Sequence, residues 1–71
     1  MLDKIILGLS IKKARKKKKM SQMKLSVLTN LSRSYISDVE NGRYAPSLET
    51  LMRISIALDA SLDELAYGKV A

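Results

Sequence analysis

Residues 21–42 read SQMKLSVLTNLSRSYISDVENG, and this stretch decides the fold. Ser21 is a good helix N-cap, because its hydroxyl can accept a hydrogen bond from an unpaired amide of the first turn. Leu25 and Leu28 recur at helical spacing before the pattern breaks at Thr29-Asn30. Asn tolerates the left-handed backbone conformation that a helix terminus needs. Leu31 follows, then Ser32 as a second cap, with Ile36 and Val39 three apart on one face of a second helix. Asn41-Gly42 is the expected stop signal for that helix. The stretch therefore predicts two short helices joined by a tight turn.

Two helices separated by about three turn residues form a helix-turn-helix. Ser26 falls where the first helix crosses the second, and only a small side chain lets the two backbones approach. Asn30 makes the turn, and Ile36 and Val39 anchor the second helix. That leaves Arg33, Ser34, Ser37 and Asp38 facing outward. A protruding helix about 10–12 Å in diameter fits the B-DNA major groove, about 12 Å wide. The bland alternative is an ordinary helical hairpin with a solvated polar face, since apolar spacing of this kind is common.

Upstream, Met1 to Ile6 is short and partly apolar, with Asp3 a candidate N-cap. A first helix is predicted from about Asp3 or Ile5 to Lys18, burying Leu7, Ile11 and Ala14. Gly8 weakens it by about 1 kcal/mol relative to Ala. From Lys12 to Lys19, seven of eight residues are basic. Like charges three and four apart repel, so this helix needs tertiary packing or a bound anion. Met20 turns inward, and Lys19 takes the helix-ending position where Gly is preferred.

Downstream, Arg43-Tyr44-Ala45-Pro46 reads as a loop, since Pro46 disfavours helix at the residue before it. Ser47 caps a fourth helix over about Leu48–Leu58, with Leu51, Ile54 and Leu58 inside. Asp59-Ala60 is a short link. Ser61 and Glu64 have capping-box spacing for a fifth helix containing Leu62 and Leu65. Gly68 ends that helix, and the last three residues are expected to fray. With no repeats and no strand-like alternation, the fold class is all-α: a compact five-helix single domain over residues 1–71, its core about 7–66.

Composition narrows the chemistry. A chain of 71 residues buries only about 60% of its unfolded surface, so its core is small. It contains no Cys and no His, which excludes disulfides, the usual zinc sites and His-based catalysis. No metal, no cofactor and no enzyme activity are expected. No apolar run approaches the roughly 20 residues of a membrane span, and no secretory signal is apparent. The expected setting is the cytoplasm.

Net charge is +6, and it is unevenly placed. Residues 12–43 hold ten basic side chains against Asp38 and Glu40, giving +8; the remaining residues give −2. A basic surface beside a groove-sized helix is the electrostatic footprint of a polyanion binder.

The chain resembles the lambda-repressor-like (Xre-type) helix-turn-helix domain of phage repressors, bacterial regulators, antitoxins and restriction–modification controller proteins. The match rests on Ile11, Arg15, Ser21-Gln22, Leu25, Ser32-Arg33-Ser34-Tyr35-Ile36-Ser37, Glu40-Asn41-Gly42-Arg43, Pro46-Ser47-Leu48 and Leu62-Asp63-Glu64-Leu65. It covers roughly residues 7 to 66. The resemblance implies five helices, with the second and third forming the reader, and a homodimer on a two-fold symmetric operator in double-stranded DNA. It implies base contacts from Arg33, Ser34, Ser37 and Asp38. Backbone contacts are implied from Lys12, Gln22, Ser32, Tyr35, Asn41 and Arg43, and a structural ion pair between Arg15 and Glu40.

The side-chain chemistry agrees. Arg33 presents a planar fork suited to guanine O6 and N7, while Ser34 and Ser37 are permissive. Asp38 can accept from cytosine N4, orient Arg33 or repel other sequences. Tyr35 can pack under the loop or bond to phosphate. Lys18, Lys19 and Asn30 depart from the family pattern, which usually has an apolar residue and two glycines there. Met52 and Ile56 form an apolar pair away from the inner face of helix 4, and with Leu62 and Leu65 they are the candidate dimer interface. The expected function is sequence-specific transcriptional regulation as a small repressor or controller, with no small-molecule effector because the chain ends soon after the fifth helix. An antitoxin reading, with a toxin protein as partner, uses the same fold. Acidic residues outside the motif could contact RNA polymerase. A membrane-surface role for the lysine-rich helix fails, because Lys12–Lys19 has no aromatic apolar face.

Overall fold

The computed structural model describes residues 2–71; Met1, the start of the partly apolar N-terminal stretch, lies outside the described residues. Five helices follow in order: α1 (Lys4–Lys17), α2 (Gln22–Thr29), α3 (Arg33–Glu40), α4 (Leu48–Leu58) and α5 (Leu62–Tyr67). Each starts where a side-chain oxygen can replace a missing backbone acceptor. The Asp3 carboxylate accepts from the amides of Ile5 and Ile6. The hydroxyls of Ser21, Ser32, Ser47 and Ser61 accept from Lys24, Tyr35, Thr50 and Glu64. The Ser61–Glu64 capping box closes in both directions. Backbone and side-chain hydrogen bonds from Ser61 hold the Glu64 carboxyl below the ordinary carboxylate range, so the box is fully formed at neutral pH.

The helices end where the backbone turns left-handed. Asn30 (φ 56°), Asp59 (φ 51°) and Gly68 (φ 71°) are C-caps, and Lys19 (φ 54°) turns the chain out of α1. Gly68, Asn30 and Asp59 are residue types that take this conformation readily; Lys19 takes it with more strain. Beyond Gly68 the last three residues do not all fray. The Lys69 amide donates to the Glu64 carbonyl at 2.8 Å, closing the helix end, and Val70 then folds inward to 6% exposure.

Leu7, Ile11, Leu25, Ile36, Ile54, Leu58 and Leu65 are fully or almost fully buried, with Ala14, Val39, Leu51 and Val70 around them. α1 lies across α3, α4 and α5, while α2 packs on α3 and α4. Leu28 is not part of this core. It is 50% exposed, because Ser26 and Thr29 occupy the inner side of α2 with Leu25. Both hydroxyls are satisfied by carbonyls of their own helix, so neither buried side chain carries an unpaired polar group.

Gly8 is also more than a weak point in α1. A Cβ built on it would lie 2.4 Å from the Val39 carbonyl oxygen and 2.7 Å from that of Glu40. The absent side chain lets α1 lie directly on the C-terminal end of α3.

Close by, Arg15 and Glu40 join the same two helices. Arg15 Nε donates to Glu40 Oε2 at 2.7 Å and Nη2 donates to Oε1 at 3.0 Å. Arg15 Nη1 reaches the Met20 carbonyl at 2.8 Å, and Gln22 Nε2 donates to Glu40 Oε1 at 3.1 Å. Arg15 is 8% exposed and Glu40 4%. The end of α1, the start of α2 and the end of α3 thus meet at one buried carboxylate.

Two stability outcomes follow from these contacts. Gly8→Ala should destabilise the protein by about 1–3 kcal/mol in urea unfolding, because overpacking against backbone exceeds the helix-propensity gain of about 1 kcal/mol. A neutral or stabilised variant would mean that α1 and α3 can separate freely. Arg15→Met should cost about 3–5 kcal/mol by leaving a buried carboxylate without its counter-ion, and Arg15→Met/Glu40→Met should recover part of that loss. Singles costing under about 1 kcal/mol would show that the pair behaves like an exposed one.

Candidate nucleic-acid interface

The outward side of α3 is set by what its inward side buries. Ile36, Val39 and Glu40 point into the domain, so Arg33 and Ser34 are exposed and Ser37 and Asp38 are half-buried at the rim. These four residues line one shallow concavity. The sequence-derived base-reading set is therefore contiguous. Ser32, whose hydroxyl caps α3 through the Tyr35 amide, lies exposed at the entry of the helix. Its oxygen accepts that bond while its hydroxyl hydrogen is still available to an acceptor outside the protein.

Tyr35 stands beside this surface. Its ring stacks on Tyr44 with centroids 6.0 Å apart and planes 12° from parallel, and it packs against the core. Of the two sequence readings for Tyr35, the ring takes the packing role under the 43–46 loop. Asn41 and Arg43 are exposed after α3, separated by Gly42 (φ 77°), which is buried against Ile5. Arg43 does not project alone: its Nη1 donates to Asp38 Oδ1 at 2.8 Å. Asp38 is therefore bonded to Arg43 rather than to Arg33. Arg43 is five residues on and past the end of α3, so helical spacing gives no signal for this pair, which depends on the turn at Gly42.

Gln22 opens α2 half-buried, one amide hydrogen directed to Glu40. That bond fixes the side chain next to α3 and leaves its other N–H and its carbonyl for further partners. Lys12 is half-buried on α1, with Lys13, Lys16, Lys17, Lys18 and Lys19 exposed around the end of the helix. Lys18 lies 3.7 Å from Asp59, an exposed pair of little energetic weight. Charge pairing refines the count from the sequence. Arg15–Glu40 and Arg43–Asp38 cancel within residues 12–43, so the local excess comes from seven lysines and Arg33.

The candidate dimer residues divide. Met52 and Ile56 are 46% and 77% exposed, and Leu48, one turn earlier, is 66% exposed. These form an apolar stripe along α4. Leu62 is half-buried, packed against the core. Leu65 is fully buried at 0% exposure, which corrects its assignment to an interface: α5 is a short helix whose inward residue serves the core. Among the described residues no helix is long and apolar enough to cross a membrane.

A helix-turn-helix family model (HTH_3) matches residues 11–65, which contain α2 and α3 whole. The chain is 46% identical over 70 residues to the ImmF control region 10 kDa protein of Bacillus phage phi105, covering 99% of this chain and 78% of that protein. It is 41% identical over 63 residues to control protein C.MunI of Mycoplasma sp, covering 87% and 85% of the two chains. The crystal structure of the restriction-modification controller protein C.AhdI from Aeromonas hydrophila is similar at 35% identity and a TM-score of 0.84, over 89% of this chain and 96% of that one. With a groove-sized helix, a basic flank and these relatives, the chain belongs to the lambda-repressor-like (Xre) helix-turn-helix family of DNA-binding transcriptional regulators and is not an enzyme.

Proposed function

We propose that this protein is a small repressor or controller that binds a two-fold symmetric operator as a homodimer, with α3 in the major groove. The observation that carries this reading is the contiguous outer face of α3, where Arg33, Ser34, Ser37 and Asp38 line one concavity on a helix whose other side is buried. Arg33 is the base reader with the most information to give, through two parallel hydrogen bonds to guanine. Ser34 and Ser37 adapt to their partners. Lys12, Gln22, Ser32 and Asn41 supply phosphate contacts, and the hydroxyl of Tyr35 adds another from the edge of its stacked ring. The lysines at the end of α1 contribute a long-range, salt-sensitive attraction.

The dimer is formed through the α4 stripe of Leu48, Met52 and Ile56, with the exposed edge of Leu62 beside it. Three large apolar residues four apart on one helix form a continuous strip that a symmetric partner can cover with its own. Such an interface is isologous, and its symmetry matches that of an inverted-repeat operator.

Selection of bound duplexes from a random pool at about 150 mM salt tests the reading, because nonspecific phosphate binding is weak there. The expected product is an inverted repeat with half-sites about one helical turn apart, centre to centre. Arg33→Ala should relax preference at one base pair per half-site at a cost of about 1–3 kcal/mol. Ile56→Lys should leave the monomer folded and abolish the dimer in sedimentation. An unenriched pool would overturn the operator reading, and an unchanged sedimentation profile would overturn the α4 interface.

A further inference from the structure

Resting on the operator reading above, we infer that Arg43 is a second base-reading arginine and that Asp38 is the residue that positions it. An arginine in the loop after a recognition helix would ordinarily be read as a nonspecific phosphate grip. Three observations point elsewhere.

First, the Arg43 side chain is tied back to α3: its guanidinium donates to Asp38 Oδ1 at 2.8 Å. Its backbone amide bond to the Asp38 carbonyl only closes the helix around Gly42, so the side-chain bond is the one that bears on its role. Second, Asp38 lines the same concavity as Arg33, Ser34 and Ser37, so the guanidinium bonded to its carboxylate is anchored beside that concavity, at its rim rather than in its lining. The Asp38 side chain is 27% exposed while that of Arg43 is 68% exposed, so the carboxylate sits at the base and the arginine extends beyond it. Third, the bond uses one of five guanidinium N–H groups. The remaining donors are sufficient for guanine O6 and N7 while the carboxylate fixes the plane of the fork. The carboxylate restricts the rotamers of an otherwise flexible side chain, which a directional two-bond contact to a base edge needs more than a contact to a phosphate point charge does.

The spacing sets where the second base pair should lie. Asp38 is five residues after Arg33, an axial distance of about 7–8 Å on an α-helix. Along one DNA strand, at about 3.4 Å per nucleotide, that is about two base pairs. The half-site should therefore contain a second G·C preference about two base pairs from the one set by Arg33.

The test repeats the duplex selection and measures binding to single-base variants of the recovered operator for full-length wild type, Arg43→Ala, Asp38→Ala and the double variant. Arg43→Ala should lose about tenfold in discrimination at the second G·C pair while preference at the Arg33 pair persists. Asp38→Ala should relax the same pair, and the double variant should lose no more than Arg43→Ala alone, since the two act as one unit. If Arg43 is instead a phosphate contact, Arg43→Ala will weaken binding to all sequences equally and lower the salt slope by about one. Asp38→Ala will then strengthen binding to all sequences by removing a negative charge. Either result overturns the inference while leaving the Arg33 preference intact; loss of all enrichment in the wild type would instead overturn the operator reading itself. Circular dichroism and thermal unfolding keep a misfolded variant from being mistaken for a lost contact.

Discussion

The Glu40 carboxylate is the constraint on which the arrangement of α1, α2 and α3 depends. It is 4% exposed and receives two hydrogen bonds from Arg15 and one from Gln22. A buried ion pair is not in itself evidence of stability, because desolvating both charges can cost as much as their attraction returns. What this pair does supply is a single answer to how three helices meet. An unpaired buried carboxylate costs several kcal/mol, so any packing that shifts α1 or α2 away from the end of α3 is penalised. The same guanidinium accounts for the Met20 carbonyl where the chain leaves α1. Gly8 permits the approach and Arg15 fixes it: the first removes a steric barrier between α1 and α3, the second penalises their separation.

That rigid attachment matters because α3 has no regular structure on its outer side to support it. An eight-residue helix is too short to be stable alone in water. Its shape comes from Ile36 and Val39 in the core, from the Ser32 cap and from the Glu40 network at its far end. The outward residues Arg33, Ser34, Ser37 and Asp38 lie between these fixed points, and their side chains take no part in them. α3 therefore separates two tasks by face, the inner one specifying the fold and the outer one available for recognition. Side chains on the outer face can vary without disturbing the core, whereas Glu40, three residues beyond Ser37, cannot.

The helix order and all five N-caps were legible in the sequence, because capping is a local matter of one oxygen at one position. The Asn30 turn, the left-handed Lys19 and the Ser61–Glu64 box were legible for the same reason. The features that were not legible depend on which segments meet. Periodicity placed Leu28 with Leu25, but the inner side of α2 is taken by Ser26 and Thr29, whose hydroxyls bond to carbonyls of their own helix. Leu65 reads equally well as core or interface from spacing alone, and only the packing of α5 against α1 decides for the core. Gly8 read as a cost because its benefit lies in α3, about thirty residues away in sequence. Val70 was read as fraying, although an apolar residue just past a helix-ending glycine is itself a signal of a chain turned back onto the core. At the candidate interface, the outward set on α3 followed from its period, while the Asp38–Arg43 bond depended on how the loop leaves the helix.

The charge distribution completes the argument. Seven basic residues between Lys12 and Lys19 should repel one another along α1 and weaken it. The structure offsets little of this internally. Only Arg15 has a buried partner, and Lys18 has a distant, solvent-screened one. Three basic residues in the last turn of α1 gain from the helix dipole, at tenths of a kcal/mol each. The larger part of the repulsion is left unrelieved in the free protein, while the Arg15 network holds the helix in place against it. Lys13 lines a groove with Ile6, Leu9 and Gly68, and Lys17 and Lys18 line one with Leu58, Asp59 and Glu64, so these lysines sit toward α4 and α5 and raise the potential of the whole domain rather than extending the α3 surface. The long-range attraction this gives is exposed to solvent and therefore sensitive to salt. The buried carboxylate of Glu40 keeps α1, with its charge, and α3, with its outward polar face, in register.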